Sequence, residues 1–195
     1  MSPNATESPR KLKRDERREA IVSGAAEAFV RHGYEATTLE DVAEAAGVSR
    51  ALLYRHFDTK QAIYQAVLDH FLDGFRQVMP QSIEDRWAAS GTFQGMLHMA
   101  QTDPNGFRLF FRHAVREPDF QAYHDELTAK RVDYIDDRLR SDFTDPKQRR
   151  FRAELVQELV ISTILIWIDN GLPHPDTMPE LIRNILKSVT ESENK

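Results

Sequence analysis

The chain has 195 residues, of which 41% are hydrophobic and 29% charged, and its formal net charge is −5. This balance is typical of a soluble globular protein and excludes a chain that is disordered throughout. Because it has no cysteine, no signal-peptide pattern and no apolar stretch long enough to span a bilayer, we expect a cytoplasmic protein without disulfides or thiolate metal sites.

Positive charge is concentrated near the beginning of the chain. Residues 1–60 contain 10 Lys/Arg and 10 Asp/Glu, whereas residues 61–195 contain 16 and 21. Residues 1–9 hold two prolines and two serines, so we expect residues 1–14 to form a disordered basic arm. A solvated tail ahead of the first helix would explain the same charges. The basic residues of this region are Arg10, Lys11, Lys13, Arg14, Arg17 and Arg18.

Two helices are predicted after the arm. The first covers residues 15–32, where apolar side chains recur at spacings of three and four, and Gly33 ends it. Thr38 and Asp41 have the spacing of a capping box, which predicts a second helix over residues 39–46.

A tight turn and two further helices follow. Gly47 ends the second helix, and Ser49 caps a third that extends to residue 56 or 57. Thr59 then caps a fourth helix over residues 60–79, which carries a continuous apolar stripe.

The remainder of the chain is also predicted to be helical. Residues 103–106 are a cluster of turn-forming residues. Residues 81–91 are not assigned to a helix, and no hairpin pattern occurs. The sequence therefore predicts an all-α protein of about nine helices. The helices after residue 80 are predicted over residues 93–100, 107–115, 119–141, 147–170 and 178–189.

Residues 38–57 have the chemistry of a helix-turn-helix. Such a motif needs small residues where its helices approach, a glycine in the turn and apolar residues that hold the second helix in place. The chain supplies all three: Ala43 and Ala46, Gly47, and the apolar set Val42, Val48, Leu53 and Phe57. A three-helix packing unit without a ligand is the alternative.

The outer face of the third helix is suited to DNA. Arg50 can donate two hydrogen bonds to guanine, and Ala51 and Leu52 can contact thymine methyl groups. Hydroxyl and basic groups nearby suit phosphate oxygens, which fix the register without reading sequence. The predicted DNA-binding residues are Thr38, Glu40, Ser49, Arg50, Ala51, Leu52, Tyr54, His56 and Lys60.

These residues closely resemble the N-terminal domain of TetR-family transcriptional regulators. Two positions depart from the family pattern: Leu52 stands where many members have a small or polar residue, and Glu40 is acidic at a position that can approach bases. In the groove, Glu40 would have to accept from a cytosine amino group or stand clear of phosphates. The resemblance rests on Ile21, Ala25, Phe29, Gly33-Tyr34, Thr37-Thr38, Val42-Ala43, Ala46-Gly47-Val48-Ser49, Leu53-Tyr54-Arg55-His56-Phe57 and Lys60.

The resemblance implies a two-domain regulator. Residues 15–75 would bind DNA, and a larger helical domain over residues 76–195 would dimerise and bind a small effector. The segment 108–120, RLFFRHAVREPDF, also resembles part of the family's ligand domains. We therefore expect a repressor that a small, largely apolar effector releases from a palindromic double-stranded operator, with no membrane partner.

The last two helices are the predicted homodimer interface. Residues 159–168 are apolar on nearly every side, and residues 178–189 carry an apolar stripe. We expect the helices at about 151–170 and 178–189 to form a four-helix bundle across a two-fold axis. Packing within one monomer is the alternative.

Aromatic and methionine side chains gather in the middle of the chain. They suit an apolar effector pocket, although ordinary core residues would have the same pattern. Arg108 and Arg112, four residues apart, would contact an acidic group or be solvated, and His98 would be structural or orient the ligand. The predicted pocket residues are Trp87, Phe93, Met96, Met99, Phe107, Phe110, Phe111, His113, Tyr123 and Trp167.

The sequence gives no support for an enzyme. It has no glycine-rich phosphate loop, nucleophile elbow or zinc-protease motif, so we predict no catalytic residues, cofactor or metal site. Asp133, Asp136 and Asp137 are close together on one helix, but with Arg138 and Arg140 beside them a solvated charged face is favoured. A helical protein that only binds partners and has lost DNA binding is the remaining alternative.

Overall fold

A computed structural model describes residues 9–78 and 91–190 of the chain, and it describes all of their side chains except those of residues 9–13, 78, 91–92 and 122–123. It divides into two compact units at Asp73 and Gly74. The described residues form nine α-helices joined by turns and contain no strand, as the sequence predicts. None of the described helices is long and apolar enough to cross a membrane.

The first unit contains three helices and most of a fourth. They are α1 (Pro9–His32), α2 (Leu39–Ala45), α3 (Arg50–Tyr54) and α4 (Lys60–Val78), which continues past the unit boundary. Most of the apolar positions predicted from sequence are less than one-tenth exposed and form its core, whereas Val48 is only half-buried. The buried positions are Ile21, Ala25, Ala28, Phe29, Val42, Leu53, Phe57, Ile63, Val67 and Leu68.

Helix α1 begins earlier than the sequence predicts. Residues 9–14, which we expected to belong to a disordered arm, form its first turns. Proline is tolerated in the first turn of a helix, where its missing N–H costs nothing, and Lys, Leu and Arg are good helix formers. The apolar periodicity on which the prediction relied starts only at Ile21. The rest of the arm, residues 1–8, lies outside the described residues.

Helix α3 is shorter than predicted. It ends at Tyr54, and Arg55 is its C-cap. The backbone N–H groups of His56 and Phe57 both donate to the carbonyl of Leu53, at 2.9 and 3.0 Å. The chain therefore turns tightly onto the buried ring of Phe57 instead of continuing the helix.

The second unit contains the other five helices. The predicted turn at residues 103–106 is wrong, because the Asp103 carboxylate accepts the Gly106 N–H at 2.9 Å and caps a short helix. Residues 81–90, including Trp87, lie outside the described residues. The five helices are α5 (Gly91–Thr102), α6 (Pro104–Arg108), α7 (Pro118–Arg138), α8 (Pro146–Asp169) and α9 (Met178–Thr190).

Short irregular turns link these helices. A π-helical turn, Leu109–His113, and a 3₁₀ turn, Ala114–Arg116, follow α6 directly. Another 3₁₀ turn, Leu139–Ser141, ends α7. Val132, Leu139, Phe143 and Ala153 pack together between α7 and α8 as one part of the unit's core.

Candidate DNA interface

The turn between α2 and α3 has the geometry of a Schellman motif. The Val48 N–H donates to the Ala43 carbonyl and the Gly47 N–H to the Glu44 carbonyl, both at 3.0 Å. This pattern needs a left-handed residue at the position of Gly47, whose φ is +63°. Residues with a Cβ disfavour that conformation. The predicted role of Gly47 in the turn is therefore confirmed.

A second glycine brings α1 close to this turn. A Cβ built on Gly24 would lie 2.4 Å from the backbone nitrogen of Ala46 and 2.8 Å from the carbonyl carbon of Ala45. The sequence pattern predicts close approach at Ala43 and Ala46 and does not predict it at Gly24. The available signal was a glycine inside a strongly periodic helix, where glycine lowers helix propensity and so indicates another role.

The outer face of α3 presents the predicted base-reading residues to solvent. Ser49 caps the helix, its hydroxyl oxygen accepting the Leu52 N–H at 3.3 Å. Arg50, Ala51 and Tyr54 are exposed, whereas Leu53 is fully buried and anchors the helix. Leu52 is only half-buried, so part of its side chain is available for an apolar contact.

Arg50 and Glu40 form an ion pair on this surface. The guanidinium of Arg50 contacts the Glu40 carboxylate and lies 5.7 Å from the centre of the Tyr54 ring. Both charged side chains are more than half exposed. The unusual acidic residue of α2 is therefore next to the arginine that is predicted to contact guanine.

Thr38 is occupied by the capping box that the sequence predicts. Its hydroxyl accepts the Asp41 N–H at 3.2 Å and donates to the Asp41 carboxylate at 2.7 Å, while the Thr38 N–H donates to the same carboxylate at 2.8 Å. The hydrogen bonds from Thr38 hold the pKa of Asp41 below its usual value. To donate to a phosphate instead, the Thr38 hydroxyl would have to break its hydrogen bond to the Asp41 carboxylate.

Lys60 is also engaged within the protein. Its ammonium donates to the carbonyls of Tyr34 and Glu35, at 2.8 and 2.9 Å, and lies 4.7 Å from the centre of the Tyr34 ring. An ammonium has three donors, so a phosphate contact would use the third. Lys60 thus fixes the loop after α1 to the start of α4.

Basic side chains surround His56 just after α3. Burial lowers the pKa of His56, and the positive charges of Arg14, Arg55, Arg17 and Arg18 lower it further. Arg18 also lies over the ring of Phe57, at 5.4 Å. Arg14, Arg17 and Arg18 of α1 therefore bring positive charge close to the end of α3, a relation that the expectation of a disordered arm missed.

The predicted pocket residues of the second unit are only partly clustered. The ring of Phe111 lies 4.5 Å from that of Phe107 and 4.9 Å from that of Phe110. Met96, Met99 and Trp167 are buried, and Phe93 and His113 are half-buried. Trp87 and the side chain of Tyr123 lie outside the described residues.

Two arginines predicted to be solvated or to contact an acidic group have a partner in α8. Arg108 Nε donates to one oxygen of Asp169 at 2.9 Å, and Arg112 donates to the other at 2.8 Å. Both hydrogen bonds lower the pKa of Asp169, and the bond from Arg112 has the larger effect. His98 is exposed, and burial lowers the pKa of the half-buried His113.

Asp133, Asp136 and Asp137, near the end of α7, are each paired with a different arginine. Asp136 accepts from Arg149 at 3.1 Å, Asp137 lies 2.7 Å from Arg140, and Asp133 contacts Arg150. Within the part of the chain that the structure describes, no group of three acidic or histidine side chains is arranged to hold a metal ion.

Comparisons with known proteins agree with this geometry. Residues 21–67 match the family described as bacterial regulatory proteins, tetR family. The chain is 30% identical over 169 residues to the transcriptional activator FasR of Mycolicibacterium smegmatis, covering 84% of this chain and 77% of that protein. It is 26% identical over 181 residues to the transcriptional repressor KstR2 of the same species, covering 89% and 76%.

A solved structure has the same fold. A TetR-like transcriptional regulator from Rhodococcus sp. RHA1 superposes with a TM-score of 0.73 at 14% identity, over 98% of this chain and all of that one.

Proposed function

Since the chain belongs to the TetR family of transcriptional regulators, whose members bind operator DNA as dimers and respond to small effectors, we propose that it represses transcription from a palindromic operator until an effector releases it. Regulators of this family are not enzymes, so the chain is not expected to carry out catalysis.

The outer face of α3 carries the proposal. Arg50 and Ala51 are exposed side by side on a helix that the buried Leu53 anchors. Arg50 would read guanine in the major groove, while Tyr54 and His56 would contact phosphates. Arg14 and Arg17, exposed on α1, would neutralise further phosphates beside them.

An exposed apolar face on α8 supports a homodimer. Phe151, Leu155, Leu159 and Ile166 follow one another at helical spacing on one side of α8. Phe151 and Ile166 are 63% and 62% exposed, and Leu181 of α9 is 52% exposed. Burial of this face against a second copy would form a two-fold interface and present two α3 helices to the two half-sites of a palindrome.

The proposed switch is a shift between two conformations. Helix α4 belongs partly to each unit, so an effector that prefers one orientation of α4 would change the spacing of the two α3 helices in the dimer. DNA affinity then changes because the effector binds the two conformations unequally.

Activation is the second candidate function, and one relative favours it. FasR, which matches 84% of the chain, is named an activator, whereas KstR2 is named a repressor. The same DNA contacts serve both outcomes, because the position of the operator relative to the promoter determines the effect. Transcription from the native promoter, measured with and without the protein, distinguishes them.

Selection of operator fragments from genomic DNA by the full chain tests the proposal. We expect retention of one palindrome that weakens steeply with salt. Arg50→Ala should relax the preference at one base pair in each half-site by ~1–3 kcal/mol. Lys147→Ala removes an exposed charge from the second unit and should leave that preference intact. Retention without sequence preference by the unmodified chain would refute the proposal.

A further inference from the structure

Most arginines of the second unit whose contacts are described pair with an acidic side chain or donate to a backbone carbonyl. Among the described residues, Arg108 and Arg112 share Asp169, Arg149 donates to Asp136, and Arg150 contacts Asp133 and Glu154. These pairs satisfy the usual requirement that a charge withdrawn from water be matched by an opposite charge or by strong acceptors.

Arg131, in α7, differs from them. Its Nε is shielded from solvent and makes no hydrogen bond within the described chain, and its terminal nitrogen donates to the neutral Thr128 hydroxyl at 3.3 Å. The negative charge of Glu158 raises the pKa of Arg131 from a distance, without an ion pair between the two side chains. Burial accordingly lowers the pKa of Arg131 to about 10. The guanidinium stays charged at neutral pH but has no ion-pair partner among the described residues.

Arg152 shows that a shielded Nε alone is not unusual. Its Nε also lacks a partner, but Arg152 donates to the Val189 carbonyl in the last turn of α9 and lies 4.2 Å from the centre of the Phe143 ring. Carbonyls at a helix C-terminus carry partial negative charge. Arg152 is therefore compensated in a way that Arg131 is not.

An apolar aromatic surface adjoins Arg131. Its guanidinium lies 4.8 Å from the centre of the Phe111 ring, which packs against Phe107 and Phe110. Phe110 and Phe111 belong to the π-helical turn Leu109–His113, and such turns are frequent at functional sites. The cluster thus combines a cation that has no ion-pair partner in the described part of the chain with three rings that are each less than one-tenth exposed.

We propose that Arg131 binds the carboxylate of an amphipathic effector whose apolar body packs against Phe107, Phe110 and Phe111. A carboxylate would supply the missing counter-ion and accept two parallel hydrogen bonds from the guanidinium. The proposal rests on the proposed function, since it gives a chemical class to the effector of that regulator. It also changes the expectation of a largely apolar effector to one with a single anionic end.

Calorimetric titration of the full chain at pH 7.5 tests this assignment. The probes are hexanoate, dodecanoate and 4-phenylbutyrate, each paired with its neutral amide. We expect at least one carboxylate to bind at least tenfold more tightly than its amide. Arg131→Gln should remove that preference, and Arg131→Lys should keep part of it. Lys130→Gln, which removes the neighbouring but exposed charge paired with Glu126, should bind like the unmodified chain.

Thermal unfolding without a probe separates a binding role from a structural one. Because the unmatched charge costs free energy in the folded state, Arg131→Met should unfold at the same or a higher temperature than the unmodified chain. A marked fall in the unfolding temperature would assign Arg131 a structural role and overturn the proposal.

Two titration results would also overturn it: no binding of any carboxylate, or equal binding of the carboxylate and the amide by the unmodified chain and Arg131→Gln. Operator retention is measured on the same preparation. Loss of carboxylate binding with intact DNA retention therefore rejects the ligand assignment alone, whereas absent DNA retention rejects the proposed regulator.

Discussion

At the scale of single residues, the Glu40–Arg50 pair is the most informative feature of the candidate interface. Each side chain is more than half exposed, so the pair contributes little to folding stability. Its importance lies in what it does to Arg50. A guanidinium held by a carboxylate must exchange that partner for a base, and it does so readily only where the base is a good acceptor.

Glu40→Gln is therefore expected to raise affinity for non-specific DNA more than affinity for the operator. Freed from its carboxylate, Arg50 gains phosphate contacts at any site, and the salt dependence of non-specific binding should steepen by about one charge. Binding to the operator and to a scrambled duplex is measured across a salt series. Glu44→Gln makes the same charge change on exposed α2 surface as a control. Equal effects of the two substitutions would contradict the role of the pair.

His56 gives the interface a predicted pH dependence. Burial and the neighbouring arginines lower its pKa in the free protein. A DNA phosphate would favour the protonated form, so binding should take up a proton and affinity should rise as the pH falls below the ordinary histidine value. The folding stability of the free protein should change in the opposite direction to its DNA affinity. The unfolded chain binds the proton first, so the free protein should lose stability over the same fall in pH.

The slope in operator affinity should disappear in His56→Gln, whereas the slope in stability should only become shallower, because the pKa of His113 is lowered too. Both slopes should persist in His70→Gln, which changes an exposed histidine of α4. Operator affinity and thermal unfolding are each measured between pH 5.5 and pH 8 for the three proteins. An unmodified chain whose operator affinity falls with decreasing pH would refute the phosphate contact assigned to His56.

At the scale of helices, local chemistry decided what could be predicted. The capping box of Thr38 and Asp41 and the turn at Gly47 fix α2 through neighbours in sequence. Features that depend on distant residues were missed. Arg108 meets Asp169 across 61 positions. The unmatched charge of Arg131 becomes visible only when its surroundings are known, because an arginine in a helical sequence is normally solvated.

The contact between α1 and the α2–α3 turn leads to a prediction about packing. Gly24→Ala would stabilise an isolated helix, but here the new Cβ meets the backbone of Ala45 and Ala46, which cannot rotate away. Separation of α1 from the turn should cost ~1–3 kcal/mol in the free energy of unfolding. Chemical denaturation of the full chain measures this loss.

Gly74→Ala is the matched control. Its Cβ would meet the end of the Met99 side chain at 3.1 Å, and methionine adapts easily to such a change. We expect this variant to be at least as stable as the unmodified chain. If Gly24→Ala matches it, the close approach of α1 to the turn does not constrain the DNA-binding unit.

At the scale of the whole molecule, two separate requirements meet in the dimer. A monomer would leave Phe151, Ile166 and Leu181 in water, and it would present only one α3 to a palindrome. The proposed dimerisation through α8 and α9 would bury this apolar surface and would place a second α3 helix on the operator. Because one contact satisfies both requirements, loss of the interface should be more harmful to DNA binding than to folding.

Ile166→Glu should separate these effects. Its side chain is 62% exposed in the protomer, so the substitution should leave the fold intact while placing two like charges near each other in the dimer. We expect sedimentation of a monomer at micromolar concentration and at least 100-fold weaker operator binding, since half of the contacts are lost. Gln121→Glu adds the same charge at an exposed position of α7 and should remain dimeric. A monomeric Ile166→Glu chain with full operator affinity would show that this face does not couple assembly to DNA recognition.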